Sequence, residues 1–338
     1  MARTSPKTKR AGPSVRAFRR FVYDFPNQIT AGVEAAESVK VPRGRFSRVV
    51  VCGMGGSALA ADLANAWLDL NPDIFVHRDF GLPNEADAES LVLVVSHSGD
   101  TAETLSAFDE AVKAGRSVIA ITTGGELAKR AGKFGIPLVK LTRTDAPPRL
   151  NTGLHLAAIA TVLARAGVID DHESELVEAA AEIAQDRALE ERGRALARQI
   201  GVRLPLIYSS SSNAVLARNW KIKINETAKR AAFWNVVPET AHNEIVAFGD
   251  GADYFVLMAL IDGDDDKRVR RSVKVIEDIA RGLKWPVTSV ELKGSSRLAK
   301  ILHTVWLGDW FALALAELHE NDPSATPLID IYKKKISR

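Results

Sequence analysis

Three hydroxyl side chains and one glycine follow the apolar run of residues 91–95. They are Ser96, Ser98, Thr101 and Gly99, and apolar residues with helical spacing begin directly after them. Gly99 permits a tight turn, and the start of the next helix presents unpaired backbone N–H groups and the positive end of its dipole. This arrangement predicts a site for a phosphate held by neutral donors. The alternative is an ordinary serine-rich helix cap.

A second glycine-containing turn follows another apolar run, at residues 53–57. Here Gly55, Gly56 and Ser57 open an alanine-rich helix. Dinucleotide-binding folds use similar glycines, but their spacing is not met, and Arg78 rather than an acid follows the next predicted strand. We therefore interpret this turn as a second approach to a small anion or sugar.

One arginine stands in a rigid loop just before an apolar helix. Arg149 follows two prolines, and the helix is predicted over residues 153–166. The side chain is either a solvated loop cation or is directed into a site. Its position before a buried helix favours the second interpretation.

The composition is that of an ordinary globular protein, with 46% hydrophobic and 26% charged residues in 338. The formal net charge is +3, and the first twenty residues contain seven cations and no acid. Because the remainder is slightly acidic, we expect neither a nucleic-acid nor a membrane partner. Residues 1–15 are predicted to be a disordered basic tail, with an organellar transit peptide as the alternative.

The single cysteine, Cys52, excludes an internal disulfide and fits a reducing compartment. It follows three valines, which predicts a buried thiol at the end of a strand. No apolar stretch is expected to reach the length of a membrane span. These features predict a cytoplasmic protein.

Strands alternate with helices along most of the chain. Strands are predicted at residues 49–51, 74–77, 91–95, 117–121, 138–141, 205–208, 233–238, 254–261 and 287–290. Helices are predicted at residues 16–39 with an interruption at Pro26, and at 102–114, 127–134, 153–166, 214–228, 269–283 and 298–318. The alternation predicts an α/β protein with parallel sheets, covered on both faces. Strand, serine turn and helix recur, so we expect two α-β-α sandwich domains, at residues 16–168 and 201–338, joined by a charged helical connector at 169–200.

Five segments together resemble the bifunctional phosphoglucose/phosphomannose isomerase family, whose chains contain tandem sugar-isomerase (SIS) domains. The segments are residues 53–57, 96–101, 148–149, 225–229 with 238–244, and 322–327 with 331–335. The resemblance covers residues 30–338. Any one motif also occurs in SIS proteins that regulate, but their order and joint presence are specific.

The resemblance implies an isomerase that interconverts glucose 6-phosphate and mannose 6-phosphate with fructose 6-phosphate through an enediolate. It implies Glu226 as the base at C1 and C2 and Arg149 as the cation near the oxyanion. His242 and Lys333 are the implied ring-opening residues, with His242 reaching in from the second subunit of a homodimer. The implied substrate and phosphate positions are Gly55, Gly56, Ser57, Ser96, Ser98, Thr101 and Thr326. Thr326 would leave room for rotation about C2–C3, which admits the mannose epimer. No metal or other cofactor is expected.

Some positions depart from the family pattern. His97 and Asp100 stand where tyrosine and asparagine are usual, and Asp100 would weaken phosphate binding if it pointed inward. Thr240 and Ala241 replace the commoner leucine and asparagine, and the second serine turn has serines at 211 and 212 where glycine is usual. These departures bear on catalytic efficiency and substrate preference more than on the fold.

Alternatives exist for each residue taken singly. Glu226 could be a surface carboxylate, His242 a structural histidine, and Lys333 part of a solvated lysine run. Glu239 and Glu244 would either orient the His242 imidazole or cap a helix. A sugar-phosphate sensor without catalysis would need only the serine turn, so the presence of the other residues favours an enzyme. Amidotransferase-type isomerisation would require a nucleophilic cysteine and a glutaminase domain, which we do not find in this sequence.

Overall fold

The computed structural model describes residues 15–68, 70, 73–249 and 252–336. The predicted basic tail lies almost entirely outside these residues. Among them the chain forms two parallel sheets with helices on both faces, as the α/β prediction requires.

The first sheet has the strand order β2-β1-β3-β4-β5, with all strands parallel. The strands are β1 (Arg48–Gly53), β2 (Phe75–His77), β3 (Ser90–Ser96), β4 (Ser117–Thr122) and β5 (Leu138–Lys140). Every residue of β3 is buried, as expected of a strand that is covered on both faces. In this order β2 lies on one side of β1, whereas β3, β4 and β5 follow one another on its other side. The carboxyl ends of β1 and β3 therefore meet at a topological switch point, where α/β proteins bind ligands.

The two faces of this sheet follow from the alternation of side chains along its strands. Odd-numbered residues such as Val51 and Leu93 join the cluster that contains α2 (Phe25–Glu37), α3 (Gly55–Leu68) and α6 (Thr152–Ala166). Even-numbered residues such as Cys52 and Val94 pack against α4 (Ala102–Lys113) and α5 (Gly125–Phe134). Cys52 is 1% exposed, and burial raises the pKa of its thiol to about 12. This confirms the prediction of a buried thiol.

The second sheet has the order β7-β6-β8-β9, again parallel. Its strands are β6 (Leu204–Ser210), β7 (Phe233–Val237), β8 (Phe255–Ile261) and β9 (Val287–Glu291). One face packs on α10 (Lys267–Gly282), and the other joins the large cluster through α9 (Ala214–Lys223) and α11 (Arg297–Leu318). One continuous hydrophobic cluster therefore extends from the first sheet to the second.

The helices at the amino terminus follow the expected break. They are α1 (Val15–Tyr23) and α2, and Pro26 lies in the first turn of α2, where its missing N–H costs no hydrogen bond. The segment predicted as a charged helical connector forms two helices, α7 (Glu173–Ile183) and α8 (Leu189–Ile200). Their apolar faces are buried, and Gly193 allows α8 to approach α11 so closely that a Cβ there would lie 2.8 Å from the backbone of α11.

Helix α11 corrects the expectation about long apolar stretches. Within the described ranges, α11 is the one helix whose length and apolar composition would allow it to cross a membrane. However, 89% of its apolar window is buried inside the protein. Contacts with α7, α8 and α9 explain its composition.

Two features near the carboxyl terminus concern the site. Helix α9 continues into a single π-helical turn, Ile224–Ala228, where an unbroken α-helix was predicted. The last helix, α12 (Pro327–Ile336), buries none of its residues against the rest of the chain.

Candidate active site

The serine turn lies at the carboxyl end of β3, where the hydroxyls of Ser96 and Thr101 lie side by side, while Ser98 Oγ accepts a hydrogen bond from the Asp100 N–H at 3.2 Å. Ser96 Oγ lies 3.1 Å from Thr101 Oγ1 and accepts a hydrogen bond from the Gly99 N–H at 3.1 Å. Thr101 is the residue before α4, yet its hydroxyl makes no capping hydrogen bond. Gly99 has a φ of +77°, and a Cβ there would lie 1.9 Å from the Gly124 carbonyl oxygen. Only glycine fits this position, and the hydroxyls are not used to cap the helix.

The glycine turn after β1 meets the serine turn at the switch point. Ser57 is 5% exposed, and its Oγ accepts a hydrogen bond from the backbone N–H of His97 at 3.3 Å. Gly56 lies beneath the loop before α6, where a Cβ would be 3.0 Å from the Pro148 carbonyl oxygen. The starts of α3 and α4 thus lie beside each other, and Gly56 lets the loop that carries Arg149 come close to both.

The two departures in the serine turn, His97 and Asp100, each have partners within the protein. Asp100 Oδ1 accepts a hydrogen bond from the backbone N–H of Glu126 at 2.9 Å, so the carboxylate is engaged with the first turn of α5. The His97 ring is buried and packs edge-on against His155 at 5.2 Å between centroids. Burial, together with the nearby Arg143, lowers the pKa of His97. A cavity of about 240 Å³ lies beside this part of the turn, between it and the loop at Arg143.

Arg149 is the residue on which three segments converge. Its side chain is 4% exposed, which excludes the solvated loop cation. Nε donates to Thr227 Oγ1 at 3.0 Å, Nη1 lies 3.5 Å from Glu226 Oε2, and Nη2 donates to the Pro323 carbonyl oxygen. Burial lowers the pKa of this guanidinium, and the carboxylates of Glu226, Asp309 and Asp322 act in the opposite direction.

Glu226 projects from the π turn that follows α9. Its side chain is 28% exposed, so the carboxylate is paired with a buried arginine and also remains accessible. Widening of a helix to a π turn is frequent at functional sites, because it redirects side chains. The turn ends at Lys229, whose φ of +56° is left-handed. Lys229 Nζ donates to the carbonyl oxygens of Glu226 and Pro323.

Sequence reasoning missed several residues that contact this pair. Thr227 and Lys229 belong to the matched segment at 225–229, where only Glu226 received a role. Desolvation and the neighbouring Arg149 lower the pKa of Lys229 to about 8. Pro323 acts through its backbone carbonyl, which no side-chain pattern could indicate.

The two expected ring-opening residues, His242 and Lys333, lie on elements other than the π turn and the loop of Arg149. His242 ends a short 3₁₀ helix (Glu239–His242) and is exposed. In the described part of the chain, no hydrogen bond or ion pair joins it to Arg149 or Glu226. Lys333 lies on the exposed helix α12, and Thr326 directly precedes that helix, its carbonyl oxygen accepting from the Asp330 N–H at 3.1 Å.

The acids that flank His242 have other partners. Glu239 Oε1 accepts from Asn243 Nδ2 at 2.7 Å, and Glu244 Oε2 accepts from Asn235 Nδ2 at 2.6 Å. Neither carboxylate orients the His242 imidazole in this structure.

The serine turn of the second sheet differs from the first because protein charges fill it. Asn213, in this turn, lies beside Asp262, which follows β8. Arg297 Nη1 donates to Asn213 Oδ1 at 2.7 Å and to Asp262 Oδ2 at 3.1 Å, and Lys300 Nζ donates to Asp262 Oδ1 at 2.6 Å. A carboxylate of the chain thus occupies this crevice. Among the described residues, no group of three or more histidines, cysteines or acids could hold a metal ion.

The fold and the paired turns define a protein with SIS domains. A family model described as the bacterial phospho-glucose isomerase C-terminal SIS domain matches residues 189–336. A hypothetical protein from Thermus thermophilus has a similar structure, with a TM-score of 0.77 at 18% identity, over 97% of this chain and 91% of the other.

Sequence comparison defines the family more closely. The chain is 33% identical to the bifunctional phosphoglucose/phosphomannose isomerase of Caldicellulosiruptor bescii, over 94% of this chain and 98% of the relative. It is 32% identical to the protein of the same name from Aquifex aeolicus, over 87% of this chain and 91% of the relative. The chain belongs to the bifunctional phosphoglucose/phosphomannose isomerase family and is an isomerase.

Proposed function

We propose that this protein interconverts glucose 6-phosphate and mannose 6-phosphate with fructose 6-phosphate. The observation that carries the proposal is the contact of a buried arginine, Arg149, with an accessible carboxylate, Glu226, in a site that also contains the serine turn. The names of its relatives support a sugar phosphate as the substrate. A sensor would have no need of the arginine–carboxylate pair.

The phosphate is held by the two turns at the switch point. Ser96, Ser98 and Thr101 supply hydroxyl donors, and Ser57 supplies another beside Gly55 and Gly56. The backbone N–H groups that open α3 and α4 add further donors at helix amino termini. Neutral donors keep extra cations away from C1 and C2.

Glu226 transfers the proton between C1 and C2. Its carboxylate removes the proton from C2 of the open aldose, and the electron pair moves towards O1 to give an enediolate. Arg149 stabilises that oxyanion, and return of the proton to C1 gives the ketose. The remaining hydroxyl proton passes between O2 and O1, so atoms and charge balance. With Arg149 supplying the positive charge, the reaction proceeds without a metal ion.

Opening of the sugar ring requires an acid and a base near O1 and O5. His242 and Lys333 serve this step, with His242 donated by the second subunit of a homodimer. The accessibility of both residues in one chain is consistent with that arrangement. Thr326, at the start of α12, leaves the space in which C2–C3 rotates, so that the base reaches either face for the mannose epimer.

The same proposal includes the organisation of the chain. A phosphate-binding domain spans residues 16–168, helices occupy 169–200, and a second SIS-like domain spans 201–338. The enzyme works in the cytoplasm, without a nucleic-acid or membrane partner.

A coupled assay that starts from fructose 6-phosphate and measures both hexose products tests the proposal. We expect both products, and equal rates with and without EDTA. We also expect Glu226→Gln, which preserves shape and hydrogen bonding, to lower kcat by about 10²–10⁴-fold. Absence of turnover by the intact protein would favour a sugar-phosphate sensor. Loss of activity in EDTA with restoration by zinc would overturn the metal-free mechanism, and a rate above about a tenth of wild type in the Glu226→Gln variant would move the base elsewhere.

A further inference from the structure

Side chains bind the carbonyl groups at the end of the π turn that carries Glu226. The last carbonyl groups of a helix have no partner within it, so other groups must satisfy them. Lys229 Nζ donates to the Glu226 carbonyl oxygen and lies 3.4 Å from the Thr227 carbonyl oxygen. Asn321 Nδ2 donates to the Ala228 carbonyl oxygen at 2.8 Å. The carbonyl groups of Glu226 and of the residue after it are therefore bound by one lysine side chain.

Lys229 is the left-handed residue that ends the turn. Its φ is +56° and its ψ is +34°, and its backbone N–H donates to the Ile224 carbonyl oxygen. Glycine is the residue that most often ends a helix in this conformation, because a side chain there is strained. Lysine thus stands where glycine would fit with less strain, and its ammonium group turns back onto the helix end. The side chain provides hydrogen bonds at this position that glycine could not provide.

The Pro323 carbonyl oxygen joins Lys229 to Arg149. Lys229 Nζ lies 3.3 Å from this oxygen, and Arg149 Nη2 donates to it as well. Arg149 Nη1 in turn lies 3.5 Å from Glu226 Oε2. A closed ring of contacts thus runs from the Glu226 main chain through these groups and back to the Glu226 carboxylate. In this ring, Lys229 links the backbone that carries the carboxylate to the carbonyl group that holds the guanidinium.

The acceptors of the Lys229 ammonium group are three main-chain carbonyl oxygens, those of Glu226, Thr227 and Pro323. A lysine ammonium group has three protons to donate. Its donors are therefore matched by groups of the protein itself. Lys229 thus acts on the reaction through the parts of the site that it holds.

We propose that Lys229 is a positioning residue, which fixes the Glu226 carboxylate relative to the Arg149 guanidinium by holding the π turn and the Pro323 carbonyl group. The inference rests on the proposed function, because it assumes that Glu226 and Arg149 act on the substrate. Misplacement of a reacting group by about 1 Å can lower the rate by about 10²-fold. Loss of the Lys229 donors should therefore slow the chemical step, whereas the turns of the first sheet still bind the phosphate.

Two substitutions remove the ammonium group in different ways. Lys229→Met preserves the apolar part of the side chain without its donors. Lys229→Gly removes the whole side chain but relieves the left-handed backbone, so added strain cannot explain a loss of activity. In both variants we expect kcat for fructose 6-phosphate to fall by about 10–10²-fold and KM to change by less than about twofold. Lys229→Arg, which retains the positive charge and N–H donors, should recover most of the lost rate.

Chemical rescue tests the missing donor directly. The atoms deleted in Lys229→Gly correspond to n-butylammonium, which should restore kcat of this variant in a saturable manner. Tetramethylammonium carries the same charge but has no N–H group, so it should not restore the rate. Equal responses to the two ions would overturn the role of Lys229 as a hydrogen-bond donor.

The matched control is Lys284, a lysine with the same backbone conformation after another helix. Its φ is +63°, it follows α10 and it is exposed. Lys284→Met and Lys284→Gly should leave kcat and KM unchanged. Urea unfolding of these variants shows what the same substitutions do to stability at a left-handed position outside the site.

Failure of this inference and failure of the proposed function give different results. A kcat within about twofold of wild type in Lys229→Met and Lys229→Gly, in an enzyme that Glu226→Gln inactivates, would overturn the positioning role alone. A change in KM without a change in kcat, or lowered stability as the only effect, would do the same. If Lys229→Met does not fold, Lys229→Gly decides. Full activity of Glu226→Gln would overturn the proposed function itself.

Discussion

The carboxylate of Asp100 caps the first turn of α5 through the backbone N–H of Glu126, at 2.9 Å. The acid in the turn that we propose as the phosphate site is therefore hydrogen-bonded to a neighbouring helix. Asp100 also lies close to Gly125, the first residue of α5, because a Cβ added at Gly125 would lie only 2.8 Å from Asp100 Oδ1. The hydrogen bond joins the turn to the start of α5 and directs Oδ1 to that helix.

Replacement of Asp100 should affect stability and leave substrate binding nearly unchanged. Asp100→Ala removes the cap from α5, which should lower the free energy of unfolding by about 1 kcal/mol. The measurements are urea unfolding and KM for fructose 6-phosphate. Asp100→Asn, which preserves a side-chain acceptor, is the control and should recover most of the lost stability. A KM that improves severalfold in both variants would mean that the carboxylate does face the phosphate.

The serine hydroxyls should matter for binding more than for folding. In Ser96→Ala/Ser98→Ala, each lost hydrogen bond to the charged phosphate should cost about 1.5–3 kcal/mol, so KM should rise by at least tenfold. The matched control is Ser211→Ala, an exposed serine in the second turn, where the charges are satisfied by Arg297 and Lys300. An unchanged KM in the double variant would contradict the assignment of the phosphate site.

The sequence was informative wherever local chemistry decides the structure. Gly99 and the hydroxyls around it predicted a turn, and the turn has the left-handed backbone that glycine favours. The direction in which the Asp100 side chain points could not be predicted. It depends on the position of the first turn of α5, which lies about 25 residues later in the chain than the serine turn. The burial of Arg149 likewise depends on segments distant in the chain, around Thr227 and Pro323.

Other features of the structure were not predicted, because the sequence pattern was ambiguous. The π turn at Glu226 has the same residue types as the α-helix before it, so periodicity over so short a segment does not distinguish the two. Helix α11 was recognised as a helix, but its apolar length reflects burial among other helices, which only the tertiary structure reveals. The ring-opening roles of His242 and Lys333, and the placing of His242 in the site of a second subunit, stay predictions.

A mixed dimer tests whether His242 completes the site of its partner. Glu226→Gln and His242→Ala chains should each be inactive alone. After subunit exchange, random pairing makes half of the dimers mixed, and each mixed dimer has one intact site of two. About a quarter of the wild-type activity should therefore return, as expected for a closed twofold dimer. Exchange should be confirmed by mass with differently tagged chains, and a mixture that exchanges yet stays inactive would mean that each site is built within one chain.

The buried His155 should make the protein less stable as the pH falls below neutral. Its side chain is fully buried, and its Nδ1 lies 2.7 Å from the Asn151 carbonyl oxygen, while Nε2 has no partner among the described residues. Burial, with a contribution from His97, lowers the pKa of His155 from 6.5 to about 4. Between these values the unfolded chain binds a proton that the folded chain does not. Stability should therefore be lost as the pH falls from 6.5 towards 4, by about 1.4 kcal/mol per pH unit from this group.

The variant His155→Asn isolates this effect, because its amide nitrogen can replace Nδ1–H as the donor to Asn151 and does not titrate. Loss of the ring contact with His97 should lower stability at every pH, so the quantity to compare is the change between pH 6.5 and about pH 5 in urea unfolding. The wild-type protein should lose about 1.6 kcal/mol more than the variant over that interval. Equal losses in the two proteins would mean that His155 takes up its proton in the folded state at the same pH as in the unfolded chain.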